Sequence, residues 1–226
     1  MTPKPAAQLV LDLGHRPAFG LDDFLVADPN REAVAWLDRW PDWPAPALAL
    51  YGPAGSGKSH LAEVWRSRSR ALGFRPSDLE VARVPELAHA GAVVLDPMEG
   101  AFEERALLHL YNTLAERRGH LLLVAREPPS RWPVGLADLK SRLGALPAVA
   151  VGAPDDTLLA AVMVKLFNDR QLHVEAELVR YLLLRLERSF AAIRAAVASL
   201  DQSALEQQRP VNVALAREML GRLQGP

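Results

Sequence analysis

The chain has 226 residues, 50% of them hydrophobic, and 26 Lys and Arg against 27 Asp and Glu leave a formal net charge of −1. This length allows one large domain or a core domain with a small appendage, and the near-neutral balance argues against a protein whose main task is to coat nucleic acid. The lack of cysteine excludes disulfides, thiolate nucleophiles and zinc-thiolate sites; with no apolar run of membrane-spanning length and no signal-peptide core, the sequence reads as a soluble cytoplasmic protein.

Met1 to Ala7, polar or small with two prolines, reads as a loose leader. In Gln8-Leu9-Val10-Leu11-Asp12-Leu13 leucines alternate with other residues. That pattern fits a half-buried edge strand or an extended peptide that adds to a partner with side-chain pockets, and composition does not choose between them. Gly14 to Phe19 is another loose connection, Asp28-Pro29 a turn, and Asn30 to Trp40 a short amphipathic helix. The prolines of Pro41-Asp42-Trp43-Pro44-Ala45-Pro46 predict an extended approach to the first strand, Ala47 to Tyr51.

Gly52-Pro53-Ala54-Gly55-Ser56-Gly57-Lys58-Ser59 fits G-x-x-x-x-G-K-[ST], the loop that wraps nucleotide phosphates. Its glycines let successive backbone N–H groups turn inward on phosphate oxygens. Lys58 supplies a point charge for the β- and γ-phosphates, and the Ser59 hydroxyl can ligate Mg²⁺. A buried strand before the loop and a helix after it, His60 to Arg70, supply the context that this chemistry requires.

Between Phe74 and Ala90 the pattern predicts only a short strand or turn. Ala92 to Asp96 is a second buried strand, Glu103 to Arg117 a helix with Ala106, Leu107, Leu110 and Leu114 on one face, and His120 to Val124 a third strand. Val149 to Val151 is expected to be the last. Strands alternating with helices imply an α/β core with a mostly parallel sheet covered on both sides. Asp96 ends its strand where such a sheet presents ligand groups, so it can hold Mg²⁺ beside Ser59 or simply form a turn. The position after it, where hydrolytic relatives of this arrangement carry a second carboxylate, is Pro97, with Glu99 close by. After the third strand, Val124 and Ala125 offer no side-chain donor, and Arg126 is expected to point to solvent. Nucleotide binding is therefore better supported than self-hydrolysis. In Asp138-Leu139-Lys140-Ser141-Arg142-Leu143, Arg142 reads as a surface ion-pair residue or as an arginine finger for a nucleotide on a neighbouring subunit.

After Gly152-Ala153-Pro154 the strand pattern stops. Leu158 to Phe167, Ala176 to Leu186, Ser189 to Leu205 and Val213 to Leu223 read as helices of a small all-α lid, with Ser189 and Asn212 as N-caps. No DNA-reading module is expected beyond them. The divisions are a leader over 1–19, a nucleotide-binding domain over 20–152 and a lid over 153–226. The tryptophans read as packing residues, and the histidines lack metal spacing.

Phe24-Leu25-Val26-Ala27, Gly52 to Leu61, Leu108 to Asn112, Leu121 to Trp132 with Pro128-Pro129, Asp138 to Leu143, and Lys165 to Leu172 together resemble the DnaA-related regulatory ATPases of the Hda type, a branch of the AAA+ superfamily. The resemblance implies that the Q-L-x-L-x-L motif, here Gln8, Leu9, Leu11 and Leu13, docks on the β sliding clamp of DNA polymerase III. It implies that Arg142, in Ser141-Arg142-Leu143, is an arginine finger acting on ATP held by DnaA. It assigns Phe24, Val26 and Ala27 to the neighbourhood of the base, and Gly52 to Ser59, with His60 next to them, to the phosphates of ADP or ATP; Ser59 and Asp96 would take Mg²⁺. A nucleotide-dependent homo-oligomer is a further expectation. The sequence departs from the family pattern at Pro97, at Val124 where Thr or Ser is common, and at Ala191, which aligns with the lid's sensor arginine between Arg188 and Arg194. These departures favour a diphosphate or a fixed nucleotide. The competing classes are a P-loop enzyme acting on its own ATP, such as a small-molecule kinase, and an adaptor whose nucleotide is structural.

Overall fold

The computed structural model describes residues 25–223. Gln8, Leu9, Leu11, Leu13 and Phe24 lie outside them. Among the described residues the chain divides after Ala153 into two compact units.

In the first unit, helix α1 (Arg31–Asp38) precedes strand β1 (Ala47–Tyr51), α2 (Lys58–Ser69), β2 (Leu72–Phe74), α3 (Val84–His89) and β3 (Ala92–Leu95). Then follow α4 (Glu104–Glu116), β4 (His120–Ala125), α5 (Ala137–Ala145) and β5 (Ala148–Ala150). The strands form one sheet in the order β2-β3-β4-β1-β5, every pair parallel. Parallel strands need crossovers, and here helices supply them on both faces. The period of two along each strand sorts its residues between two cores. Ala47, Ala49, Val93, Leu95, Leu121 and Leu123 join Leu87 of α3, Leu107, Leu110 and Tyr111 of α4, and Leu139 and Leu143 of α5. Leu48, Leu50, Val94, Leu122 and Val124 face Val34 and Leu37 of α1 and Leu61 and Trp65 of α2. The phosphate-loop helix α2 and helix α5 thus cover opposite faces of the sheet.

Three segments differ from the sequence expectation, one of them α5, for which the pattern announced no helix. The stretch after Phe74 holds two 3₁₀ turns and α3, not only a strand and turn. Six residues with Pro85 near the start leave little periodicity to read, although proline is well tolerated in a first helical turn, and Val84, Leu87 and Ala88 are buried. Pro41 does not extend the chain, because the Asp42 N–H donates to the Arg39 carbonyl (2.7 Å) and the Trp43 N–H to that of Pro41 (2.9 Å). The fixed φ of proline suits a turn as well as an extension. Trp43 then stacks on Trp65, 5.3 Å between centroids, and its indole N–H donates to the Trp36 carbonyl (2.8 Å). Arg126 is exposed, as the sequence led one to expect, and its Nε donates to Glu99 Oε1 at 2.8 Å in a surface ion pair.

The second unit comprises α6 (Asp156–Asn168), α7 (Ala176–Leu183), α8 (Phe190–Gln207) and α9 (Val213–Leu223). Met163, Phe167, Leu182, Ile193, Val197, Leu200 and Leu215 form its core. Ser189 Oγ accepts from the Ala192 N–H (3.1 Å) and Asn212 Oδ1 from the Leu215 N–H (3.0 Å), so both residues cap the helices they precede. Arg188 pairs with Asp156 (2.8 and 3.1 Å). Among the described residues no helix is long and apolar enough to cross a membrane.

Candidate nucleotide site

The site starts at the carboxyl end of β1, where the strand order places β4 on one side and β5 on the other. Such reversals in parallel sheets open a crevice beyond the strand ends. Gly52, Gly55 and Gly57 adopt φ of +151°, +74° and +92°, a region that residues with a Cβ rarely enter. At Gly52 space is decisive as well, since a Cβ would stand 2.1 Å from the Val151 carbonyl oxygen. The left-handed Gly57 turns the chain into α2 without a side-chain cap. The first-turn amides of Lys58, Ser59 and His60 therefore have no acceptor within the helix, and the positive end of its dipole faces the loop.

Lys58 folds back over this loop. Its Nζ donates to the carbonyls of Gly52 (2.8 Å) and Pro53 (2.7 Å) and reaches Ser56 Oγ (3.3 Å). Burial holds its ammonium below the ordinary lysine range, against the opposite pull of Asp96 and Glu99, while Arg126 adds to the lowering. Asp96 follows β3 and lies within hydrogen-bonding reach of the Ser59 hydroxyl. Burial pushes its carboxyl above the usual range, outweighing the Ser59 hydrogen bond and the charge of Lys58 that pull it down, and Glu99 pushes further upward. Ser59 and Asp96 also line one cleft with Glu63, Arg66, Phe74 and Arg75. Between the loop and Asp96 runs the end of β4, which contributes backbone: the Ala125 carbonyl accepts from the Gly52 N–H (3.2 Å) and that of Val124 from the Met98 N–H (2.7 Å).

These residues fit a magnesium nucleotide. The loop has glycines where backbone N–H groups must converge, a cation held at its rim, and a hydroxyl beside one partly buried carboxylate. Mg²⁺ commonly takes one or two carboxylates and completes its shell with phosphate oxygens and water. Among the described residues no group of three or more His, Cys, Asp or Glu gathers as a self-sufficient metal site.

Val26 packs against the α1–α2 core, and the Ala27 carbonyl accepts from Asn30 and Arg31. The residue that fixes this segment is one the sequence reading assigned no site role, Asn30. Only 4% exposed, it accepts from the Ala27 N–H (2.9 Å) and donates to the Leu25 carbonyl (3.0 Å). The Pro29 carbonyl then accepts from the Gly152 N–H (2.8 Å), next to the Val151 carbonyl that crowds Gly52. Residues 25–30 are thereby tied to the flank of the phosphate loop. The Asp-Pro turn at Asp28-Pro29, followed by an Asn whose side chain can bond nearby backbone, was the available signal.

Arg142 lies exposed in the last turn of α5, across the sheet from α2. Its helix is anchored by a second unassigned residue, Glu104, whose carboxylate accepts from the Gly135 (2.9 Å) and Leu136 (2.6 Å) N–H groups at the start of α5. No local pattern announces a contact 31 residues away. The structure thus brings Ser59, Lys58 and Asp96 together with the glycines and leaves Arg142 apart from them.

Residues 156–220 match the family model described as the lid domain of Hda. The chain is similar in fold to domain III of the replication initiation protein DnaA from Thermotoga maritima, with a TM-score of 0.75 at 16% identity over 93% of this chain and 99% of that one. It is similar to AMPPCP-bound DnaA from Aquifex aeolicus, with a TM-score of 0.69 at 18% identity over 84% and 67%. The RuvB Holliday junction branch migration motor from Thermotoga maritima gives 0.64 at 13% identity over 79% and 62%.

Proposed function

We propose that this chain, an Hda-type, DnaA-related AAA+ protein by its lid and fold, is a nucleotide-binding regulator of replication initiation that promotes hydrolysis of ATP held by DnaA. In this reading it carries ADP or ATP with Mg²⁺ on Gly52 to Ser59 and Asp96. It docks through Gln8, Leu9, Leu11 and Leu13 on the β sliding clamp and presents Arg142 to the partner's nucleotide. The outcome is negative regulation of initiation.

The observation that carries the reading is the separation of Arg142 from the phosphate loop. Helix α5 packs on one face of the sheet and α2 on the other, so the helix that bears the guanidinium is not the one that follows the phosphate loop or lies on its face. A finger so placed serves a phosphoryl group on another subunit. Its contribution is electrostatic, a fixed cation set against charge developing on the γ-phosphoryl oxygens, which in comparable trans-acting systems accelerates hydrolysis by about 10³ to 10⁵. Turnover at its own site is disfavoured by Pro97 in place of an acid, and by the engagement of Glu99 with Arg126 at 2.8 Å.

The test titrates purified clamp against the protein and its Gln8→Ala, Leu9→Ala variant with ADP present, then measures hydrolysis of DnaA-bound ATP with the DNA-loaded clamp. Saturable clamp binding lost in the double variant, and stimulation lost in Arg142→Ala with clamp binding kept, are the expected results. Failure of the parent protein to bind the clamp, or undiminished stimulation by Arg142→Ala, would overturn the reading.

A further inference from the structure

We infer that Tyr111 is the positioning residue of the arginine finger: its ring, fixed in the core on α4, holds the Arg142 guanidinium in the orientation from which it meets a partner's phosphoryl group. The inference rests on the proposed role of Arg142 in trans. Arg142 Cζ lies over the Tyr111 ring, 5.4 Å from its centroid, inside the roughly 6 Å range in which a guanidinium is attracted by an aromatic face. Tyr111 is 7% exposed and belongs to the core beneath α4 and α5, so its ring cannot swing away with the arginine.

Two features of the contact suit a finger. An unanchored arginine side chain on a surface samples many rotamers, and charge stabilisation in a transition state needs the cation in place beforehand. A carboxylate would also restrain it, but would neutralise the charge and occupy its N–H donors. A ring face restrains the plane while leaving the charge and the edge donors available. Elsewhere in this chain guanidinium groups meet carboxylates, Arg66 with Glu63 and Arg188 with Asp156, or rings that are only half-buried, Arg39 over Trp36, Arg83 over Phe74 and Arg185 over Tyr181. Among the described residues Arg142 has the ring and no acidic partner. The backbone of its helix is set independently, because Glu104, two turns before Tyr111 on α4, binds the amides at the start of α5. The two tethers fix both ends of α5 against one helix. No hydrogen bond holds the Tyr111 hydroxyl among the described residues, so the ring face is the part that acts.

The experiment compares the full-length parent, Tyr111→Phe, Tyr111→Met and Arg142→Ala in hydrolysis of labelled ATP on DnaA, with DNA-loaded clamp, as a function of regulator concentration. Tyr111→Phe should match the parent. Tyr111→Met, which keeps apolar bulk without a π face, should lower the maximal rate by about 5- to 100-fold while the half-saturating concentration and ADP binding stay unchanged. An unchanged maximal rate in Tyr111→Met alongside inactive Arg142→Ala would overturn this inference alone. Full activity of Arg142→Ala would overturn the proposed function and the inference with it. A loss in Tyr111→Met that Tyr111→Phe shares, or that appears as weaker half-saturation, would mark a structural role and also overturn it. Should Tyr111→Met not fold, NMR of the parent decides: the Arg142 Nε–H resonance, assigned with Arg142→Lys, should be shifted upfield by the ring current, and a resonance at the free-arginine position would refute the contact.

Discussion

Replacing Gly52 by alanine tests the geometry of the phosphate loop directly. The added Cβ would stand 2.1 Å from the carbonyl oxygen and 3.1 Å from the carbonyl carbon of Val151, at a φ of +151°. Both neighbours are backbone, and the Val151 N–H donates to the Tyr51 carbonyl at 2.7 Å, so the strand cannot retreat without loosening the pairing of β1 with β5. A Cβ at such a φ costs about 1–3 kcal/mol, overpacking adds about 1–3 kcal/mol and a weakened backbone hydrogen bond about 1 kcal/mol. The expected loss is about 3–7 kcal/mol, a large part of the stability of an ordinary domain, or a fall of about 6–28 °C in Tm at this chain length. Thermal unfolding followed by circular dichroism, with and without ADP, measures it. Gly144→Ala is the comparison: that residue lies in α5, with nothing within 4 Å of an added Cβ. It should gain about 0.5–1 kcal/mol. A Gly52→Ala protein that melts within about 2 °C of the parent and keeps its full ADP-induced shift would refute the reasoning.

Asp96→Asn should leave the ligand-free protein as stable as the parent or more so, because burial already penalises the carboxylate; the same change should weaken Mg²⁺-dependent nucleotide binding by at least about tenfold. The sign follows from linkage. A carboxyl raised in the folded state binds its proton more tightly than in the unfolded chain, so its contribution is fullest below 3.8 and is lost as pH rises through the folded value. A less stable ligand-free Asp96→Asn protein would contradict this. Lys58 behaves inversely in the ligand-free fold: with its folded value lowered below 10.5, stability climbs with pH through that window. Nucleotide phosphates favour the ammonium, so ADP binding should take up a proton at alkaline pH and weaken as pH rises through the depressed value. Calorimetry in buffers of different ionisation enthalpy reads this proton uptake, and a binding affinity flat across the alkaline range would dismiss it.

The sheet was legible where burial is local. Ala47 to Tyr51, Ala92 to Leu95 and Leu121 to Ala125 are unbroken apolar runs, as strands buried on both faces must be. The phosphate loop was equally open to reading, because its chemistry depends on consecutive residues. Helices α3 and α5 escaped, one being six residues long with Pro85 in its first turn, the other short, with only Leu139 and Leu143 buried and a glycine, Gly144, near its end. What no local pattern could disclose are partners joined only by topology: Gly52 with Val151, Glu104 with Gly135 and Leu136, and Tyr111 with Arg142. Each of these fixes the direction of a group that the sequence had already singled out.

The charges at the carboxyl edge of the sheet also bear on what a bound nucleotide does here. Hydrolysis in this kind of site is usually assisted by a carboxylate or another side chain free to orient or deprotonate water. Asp96 faces Ser59, Glu99 is occupied by Arg126 at 2.8 Å, and Pro97 offers nothing. On the proposed function the nucleotide is then a stabilising ligand of the core, worth about 2.7 kcal/mol when present at 100 times its Kd. That is comparable with the lower estimate for the Gly52→Ala loss, so ADP would rescue the variant if the loop could still close on phosphate. Because the same Cβ that strains the fold also displaces the loop, the rescue should fail, while a variant destabilised elsewhere, such as a truncated side chain in the core beneath α4, should regain nearly the full ligand contribution.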